Sequence, residues 1–337
     1  MQTIHKIIND SLDKTVVKRN SVGLVVTSPP YPMIEMWDEC FKAQSKQVKE
    51  DFDTNFYRTA WLFMHEVLNN VWNSVVNSVK DGGIVCINIG DATRSFDGKF
   101  QMYPNSTIIS EYFINHGFVE LPGIIWRKRT NAPNKFMGSG MYPAGAYVTL
   151  EHEHILIFRK HCKREFNREE KEIRKRSAYF YSERNEWFSD LWELPGVSQK
   201  GIKGSRDRNG SYPLELPYRL INMYSLQGDT VLDPFAGLGT TMIAAIMSGR
   251  NSYNFEIESV LCDYMKQRVS EVENWNSYTE KRLEKQKEFV ESENKKGKSL
   301  YYNSKIDMQV KTKQEMDLML PFVDSVDIKD NIVVTYK

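Results

Sequence analysis

The stretch that most constrains the fold is Val231-Leu232-Asp233-Pro234-Phe235-Ala236-Gly237-Leu238-Gly239-Thr240-Thr241. Thr230 to Leu232 reads as a buried strand, the glycines as a tight loop, and Thr240 to Ile246 as a helix closed by Gly249. Glycines at 237 and 239 let the backbone pass close to a ligand, as in strand–loop–helix units that hold nucleotides. Tyr253 to Phe255 reads as the next strand and ends in Glu256, where such units hold a pair of ribose hydroxyls. The spacing is neither the three-glycine dinucleotide fingerprint nor a Gly-Lys-Ser/Thr phosphate loop. By itself a Gly-x-Gly is equally a plain tight turn, so the wider context has to decide.

A second motif supplies that context. The apolar run Val22 to Val26 leads into Thr27-Ser28-Pro29-Pro30-Tyr31-Pro32. Consecutive prolines fix φ, end the strand and remove two backbone donors. Their carbonyls keep lone pairs, and Tyr31 is presented on a stiff loop. This suits a flat aromatic substrate carrying an amino group. The Pro29 carbonyl and the Ser28 hydroxyl accept from the amine while Tyr31 stacks on the ring. On stacking alone, Tyr31→Phe is mild. Alone, such a motif is usually a strand-ending turn.

Between the motifs, apolar residues recur at helical steps from Tyr57 to Val79, within a helix read over Asn55 to Val79. Strand Ile84 to Ile89 follows, making a βαβ unit and therefore a parallel sheet. Thr107 to Asn115 and Leu216 to Leu226 read as further helices, with edge strands at Phe118 to Trp126 and Glu153 to Arg159. The alternation stops between Lys160 and Tyr212. A charged helix, Glu280 to Glu293, and a strand-like Asn331 to Tyr336 lie in the C-terminal region.

Together the two motifs resemble the S-adenosylmethionine-dependent amino-methyltransferases of DNA. Their order, Ser-Pro-Pro-Tyr before the glycine loop, resembles the circularly permuted beta class. Further segments resemble the same family: Ile7 to Leu12 with Asp10, Gly82 to Asp91, the pair Ile124–Lys128 and Glu153–Phe158, and Tyr212 to Pro217. At the last of these the family commonly has His-Pro where this chain has Tyr212-Pro213. The resemblance implies a Rossmann-like α/β fold: a doubly wound mixed sheet with permuted motif order, a small recognition region and a C-terminal extension. It implies a catalytic half at 1–159, a target-recognition region at 160–212, a cofactor half at 213–276 and an extension at 277–337. Catalysis falls to Ser28, Pro29, Pro30 and Tyr31. Cofactor binding falls to Asp10, Asp233, Pro234, Phe235, Ala236, Gly237, Gly239, Thr240, Thr241 and Glu256, with no metal. Ser at the head of the loop accompanies cytosine-N4 transfer more often than adenine-N6 transfer. A target inside a duplex has to be flipped out.

Charge bears on the partner. The net charge is only +1, but basic residues gather in the middle of the chain, where they would meet phosphates of double-stranded DNA. They include Arg127, Lys128 and Arg129, a run from Arg159 to Arg176, and Lys200, Lys203, Arg206 and Arg208. For each run a solvated surface is the plainer reading. None of the four cysteines follows a proline or pairs as Cys-x-x-Cys. That disfavours carbon-5 cytosine chemistry, structural zinc and disulfides, and fits a reducing bacterial or archaeal cytoplasm. No apolar run approaches the ~18 residues of a membrane span, and the first residues show no signal-peptide pattern. A cognate restriction endonuclease as a separate protein, and a monomeric or homodimeric state, are the expected company. An RNA methyltransferase and a catalytically silent nucleic-acid-binding relic remain rival readings.

Overall fold

The computed structural model describes residues 1–15, 17–128, 137–138, 143–199 and 208–337. Ten strands form the main sheet: β1 (Gln2–Ile8), β2 (Val22–Thr27), β3 (Val79–Ile89), β4 (Phe118–Arg127), β5 (His152–Lys160), β6 (Leu191–Glu193), β7 (Thr230–Asp233), β8 (Asn251–Phe255), β9 (Val323–Ile328) and β10 (Ile332–Tyr336). They lie in the order β6-β4-β5-β3-β2-β7-β8-β1-β10-β9. The five strands from β3 to β1 run parallel, with antiparallel partners β5 and β10 on either side.

All six residues of β2 are buried, the near-continuous apolar run of a strand covered on both faces. Its side chains divide between two cores, alternating from Leu24 onward after a register shift between Val22 and Leu24. Val22 and Val25 join a cluster with Trp61, Met64, Leu68, Trp72 and Val75 of helix α1 (Tyr57–Ser78). Leu24 and Val26 join the opposite cluster, with Leu220 of α2 (Glu215–Tyr224) and Ile243 and Ile246 of α3 (Thr240–Met247). Helices on both faces make the sheet doubly wound.

The chain steps from β2 outward to β3 and from β7 in the other direction to β8. The order reverses between β2 and β7, which pair at Leu24↔Val231 and Val25↔Leu232. Open α/β sheets bind ligands at such a switch point, beyond the carboxyl ends of the strands. Both motif loops leave from there.

The region 160–212 is less separate than the sequence suggested. Strand β6 extends the main sheet through parallel pairing with β4, and Trp187 and Trp192 belong to the principal core. The extension is also built in. Strand β10 pairs antiparallel with β1, so residues far apart in sequence close one side of the sheet. Helix α4 (Val272–Lys295) carries Arg282, whose guanidinium binds both carboxylate oxygens of Glu183 at 2.5 and 2.7 Å and the Tyr218 hydroxyl at 2.6 Å.

Candidate active site

The turn after β2 is fixed by its own residues. The Tyr31 carbonyl accepts from Ile34 N at 3.1 Å, with Pro32 and Met33 between them. Met33 has φ +64°, the left-handed geometry that a type II turn demands at its third residue and usually assigns to glycine. Burial of the Met33 side chain offsets that cost. The Pro32 carbonyl accepts from Asn105 Nδ2 at 2.9 Å, and the same amide reaches Gly90 O at 3.0 Å. The loop is thus tied to the end of β3.

Tyr31 is not presented to solvent. It is 8% exposed, and its ring lies so close to Gly90 that a β-carbon there would sit 3.0 Å from Cε2. Its hydroxyl donates to Glu153 Oε2 at 2.8 Å and lies 3.0 Å from Ser28 Oγ. Asn88 Nδ2 donates to the Tyr31 hydroxyl at 2.7 Å and to Glu153 Oε2 at 2.6 Å. Lys128 Nζ closes the network on Glu153 Oε1 and sits 4.6 Å from the Trp126 ring centre. Burial, then the Glu153 charge, pushes the Tyr31 phenol well above its ordinary value. Sequence reasoning missed Asn88 and Glu153. The one available signal was Asn88 within the apolar run Ile84–Ile89; Glu153 lies in a strand with several polar residues and carried none.

This arrangement corrects two readings. The hydroxyl of Tyr31 has a structural partner, so stacking is not its sole possible work. Lys128 belongs to the buried network, with its side chain 24% exposed, and is not a free phosphate contact. Arg127 is more exposed but shared between Glu151 at 3.4 Å and Glu193 at 3.7 Å. The run from Arg159 to Arg176 also turns partly inward. Lys160 donates to Val76 O and Val79 O at 2.7 and 2.8 Å. Arg164 pairs with Asp229 at 2.6 Å and Glu170 at 3.0 Å. Arg129, Lys200, Lys203 and Arg206 lie outside the described residues, and Arg208 opens the short strand Arg208–Ser211.

Beside Ser28 an open cavity runs along the glycine loop. Ser28, Pro30, Tyr212, Pro234, Phe235, Ala236, Gly237, Thr240 and Glu256 all border it, together with Ser11, Leu238 and Ile257. Gly237 has φ +52°, and a β-carbon there would project into open space. This is the cradle that a ligand pressed against the backbone requires. Gly237 N donates to Glu256 Oε2 at 2.9 Å and Glu258 N to Glu256 Oε1 at 2.9 Å. Backbone N–H groups thus hold both carboxylate oxygens of Glu256 at the cavity wall. Phe235 is held edge-on by Trp72, with ring centres 5.5 Å apart.

Four residues expected at the cofactor stand behind this lining. Asp233 is fully buried. Its carboxylate accepts from Thr27 Oγ1 at 2.6 Å, Phe235 N at 3.1 Å and the Tyr212 hydroxyl at 3.4 Å. It therefore ties β2 to β7 and shapes the loop; burial raises its carboxyl above the usual range. Thr241 is likewise buried, bonded to Tyr212 and to Val26 O. Gly239 has φ +72°, and a β-carbon would strike Met265 Cγ at 2.6 Å. Its necessity is packing of the loop, not space for a ligand. Asp10 bonds to Ser11 N at 2.8 Å and to Thr15 Oγ1 at 3.4 Å, while its neighbour Ser11 borders the cavity. Tyr212 stands where the resembling family has histidine and carries the buried hydroxyl that joins Asp233 to Thr241.

Comparison with known proteins agrees with this geometry. A DNA methylase family model of the N6/N4 type matches residues 22–267. The type II methyltransferase M.MthZI of Methanothermobacter thermautotrophicus is 47% identical over 326 residues, covering 95% of this chain and 91% of its own. M.MjaI of Methanocaldococcus jannaschii is 46% identical over 279 residues, covering 79% of this chain and 91% of its own. TTHA0409 of Thermus thermophilus, solved in complex with S-adenosyl-L-methionine, superposes with a TM-score of 0.59 at 29% identity, covering 79% of this chain and 95% of its own. The PvuII DNA methyltransferase (cytosine-N4-specific), at 18% identity and a TM-score of 0.54 over 78% of this chain and 87% of its own, shares the fold. The switch-point cavity, the two loops that border it and these matches lead to one conclusion: the chain belongs to the N6/N4 DNA methylase family, with a Rossmann-like methyltransferase fold and S-adenosylmethionine as cofactor.

Proposed function

We propose that the chain transfers a methyl group from S-adenosylmethionine to the N4 amine of a cytosine flipped out of double-stranded DNA. The observation that carries this reading is that Ser28 and the glycine loop border one cavity. When bound, the cofactor supplies an electrophilic methyl on a sulfonium. Phe235, Ala236 and Gly237 then embrace its methionine end, Glu256 holds the ribose hydroxyls and Asp10 lies toward the adenine. Pro234 and Thr240 complete the wall, with Asp233, Gly239 and Thr241 supporting it from behind.

The amine of cytosine is a poor nucleophile because its lone pair is delocalised into the ring. Ser28 Oγ and the Pro29 carbonyl accept its hydrogens and favour the pyramidal geometry needed for attack. Pro30 stiffens the loop, and Tyr31 supports it and offers its ring for stacking on the flipped base. No covalent enzyme intermediate is required, so positioning and electrostatics supply the rate. Ser rather than Asp at position 28 favours cytosine over adenine. Arg127, Arg129, Lys200, Lys203, Arg206 and Arg208 contribute phosphate contacts, with target recognition drawn from 160–212. Its relatives are named type II methyltransferases, and this chain works beside a separately encoded endonuclease.

The test is mass spectrometry of nucleosides from DNA and RNA incubated with the protein and S-adenosylmethionine. N4-methylcytosine in DNA is expected. N6-methyladenine alone would overturn the base assignment and keep the amine chemistry. Methylation confined to RNA would replace the substrate, and absence of both methylation and cofactor binding would mark a silent relic.

A further inference from the structure

We propose that Glu153 is a positioning residue: it fixes the direction of the hydrogen bonds running through Tyr31 to Ser28, and so makes the site selective for an amine over a ring carbonyl. The proposal rests on the function just argued. Glu153 is ion-paired with Lys128, and a carboxylate in an ion pair only accepts. Across the 2.8 Å contact, therefore, the Tyr31 phenol must donate. Burial pushes its pKa upward, so the proton stays on the phenol.

Asn88 reinforces that direction. Its Nδ2 lies 2.6 Å from Glu153 Oε2 and 2.7 Å from the Tyr31 oxygen. An amide oxygen placed there would face a carboxylate, so the nitrogen occupies this position and both hydrogens are used. The Tyr31 oxygen has given its own hydrogen to Glu153. Toward Ser28 Oγ, 3.0 Å away, it can only accept. The Ser28 hydrogen is thereby committed inward; Asn88 Nδ2 also lies 3.4 Å from Ser28 Oγ, and the acceptor side that remains on Ser28 faces the cavity it borders. An N–H of cytosine or adenine meets an acceptor there. The O4 carbonyl oxygen of thymine or uracil meets lone pairs, which repel it.

The experiment measures single-turnover transfer of a tritiated methyl group from S-adenosylmethionine to genomic DNA from a host without amino-methylation. Glu153→Gln keeps the shape but can donate to Tyr31, freeing the chain to reverse. It should slow transfer on the order of 10²-fold and leave calorimetric affinity for S-adenosylhomocysteine unchanged. Tyr31→Phe, which spares the ion pair, should lose as much. In a Ser28→Ala background Glu153→Gln should add nothing, because residues acting through one another are not additive. Equal activity of wild type and either single variant would overturn the proposal. So would a Glu153→Gln loss of the same size with Ser28 already removed, which would mark a general structural role. A wild type that transfers nothing to DNA would overturn the proposed function and this inference with it; an active wild type with an unaffected Glu153→Gln overturns the inference alone.

Discussion

Beyond the carboxyl ends of β2 and β3, Ser28, Tyr31, Asn88, Glu153 and Lys128 form one buried polar network. Between β1, β8 and β10, Thr3, His5, Ser252 and Tyr336 form another. In the second, Thr3 Oγ1 bonds to His5 Nε2 at 2.8 Å and to the Tyr336 hydroxyl at 2.9 Å. His5 Nδ1 bonds to Ser252 Oγ at 2.9 Å, and Tyr336 ends the chain on Ile246 O at 2.7 Å. This network is neutral and terminates in backbone: burial lowers His5 to about 3. The first holds an ion pair, leaves Asn88 Oδ1 without a hydrogen-bond partner and opens into the cavity through Ser28. Burying polar groups is costly unless they are satisfied. Both leave one buried amide oxygen without a partner, since Asn254, which donates to Ser252 Oγ at 2.8 Å, has an unpartnered Oδ1 as well. The difference lies in charge and place: the first network carries an ion pair and adjoins the cavity through Ser28, while the second fastens β10 to the sheet.

The same substitution at two tyrosines tests this difference most directly. Tyr31→Phe should slow methyl transfer on the order of 10²-fold, the size of one lost hydrogen bond at the site. A mild loss would return Tyr31 to pure stacking and break the contrast.

The second comparison uses pH. His5 titrates near 6.5 when unfolded and near 3 when folded, so between those values the unfolded chain binds the extra proton. Its contribution to stability is therefore full above about 6.5 and declines as pH falls toward 3. The slope approaches 1.4 kcal/mol per pH unit. His65, lowered to about 4 by burial, adds to the same trend. Urea unfolding from pH 7 to 4 should show a shallower decline for His5→Gln than for wild type. Identical slopes would mean that His5 is not held neutral.

Third, Tyr336→Phe removes the donor to Ile246 O and should cost about 1–3 kcal/mol of stability. Transfer measured well below the melting temperature should stay near wild type. If turnover fell as far as in Tyr31→Phe, the two networks would not be separable.

The smallest effect belongs to Arg127, next to Lys128 in sequence but outside its network. Shared between two carboxylates, it should give Arg127→Ala a change in the salt slope of DNA binding of less than about one. A larger change would show that DNA displaces Glu151 and Glu193.

Much of the fold was legible. Apolar runs marked β2, β3 and β7, and β8 was read as the strand that follows the glycine loop and its helix. Helical steps marked the 22-residue helix α1, two residues inside the predicted start and one inside the predicted end. The site was legible in part. Ser28, Pro30, Phe235, Gly237 and Glu256 were named from sequence, and the fold brings them to one cavity. Asp233 and Gly239 were named for contact with a ligand and turn out to serve the loop that makes contact. Distinguishing those roles needs burial, and burial needs the neighbours Thr27, Tyr212 and Met265. Lys128 was misread for a similar reason: a basic residue in a basic run looks solvated until its partner is known.

The sequence by itself determined the two loops and their order. Prolines, glycines and apolar periodicity act over a few residues and need no distant partner. Tertiary structure alone decided what the Ser28 and Tyr31 hydroxyls are bonded to. That depends on Glu153, 122 residues beyond Tyr31, meeting its hydroxyl at 2.8 Å. Hydrogen bonds weaken steeply with distance and angle, so their direction is set only once strand register has placed both groups.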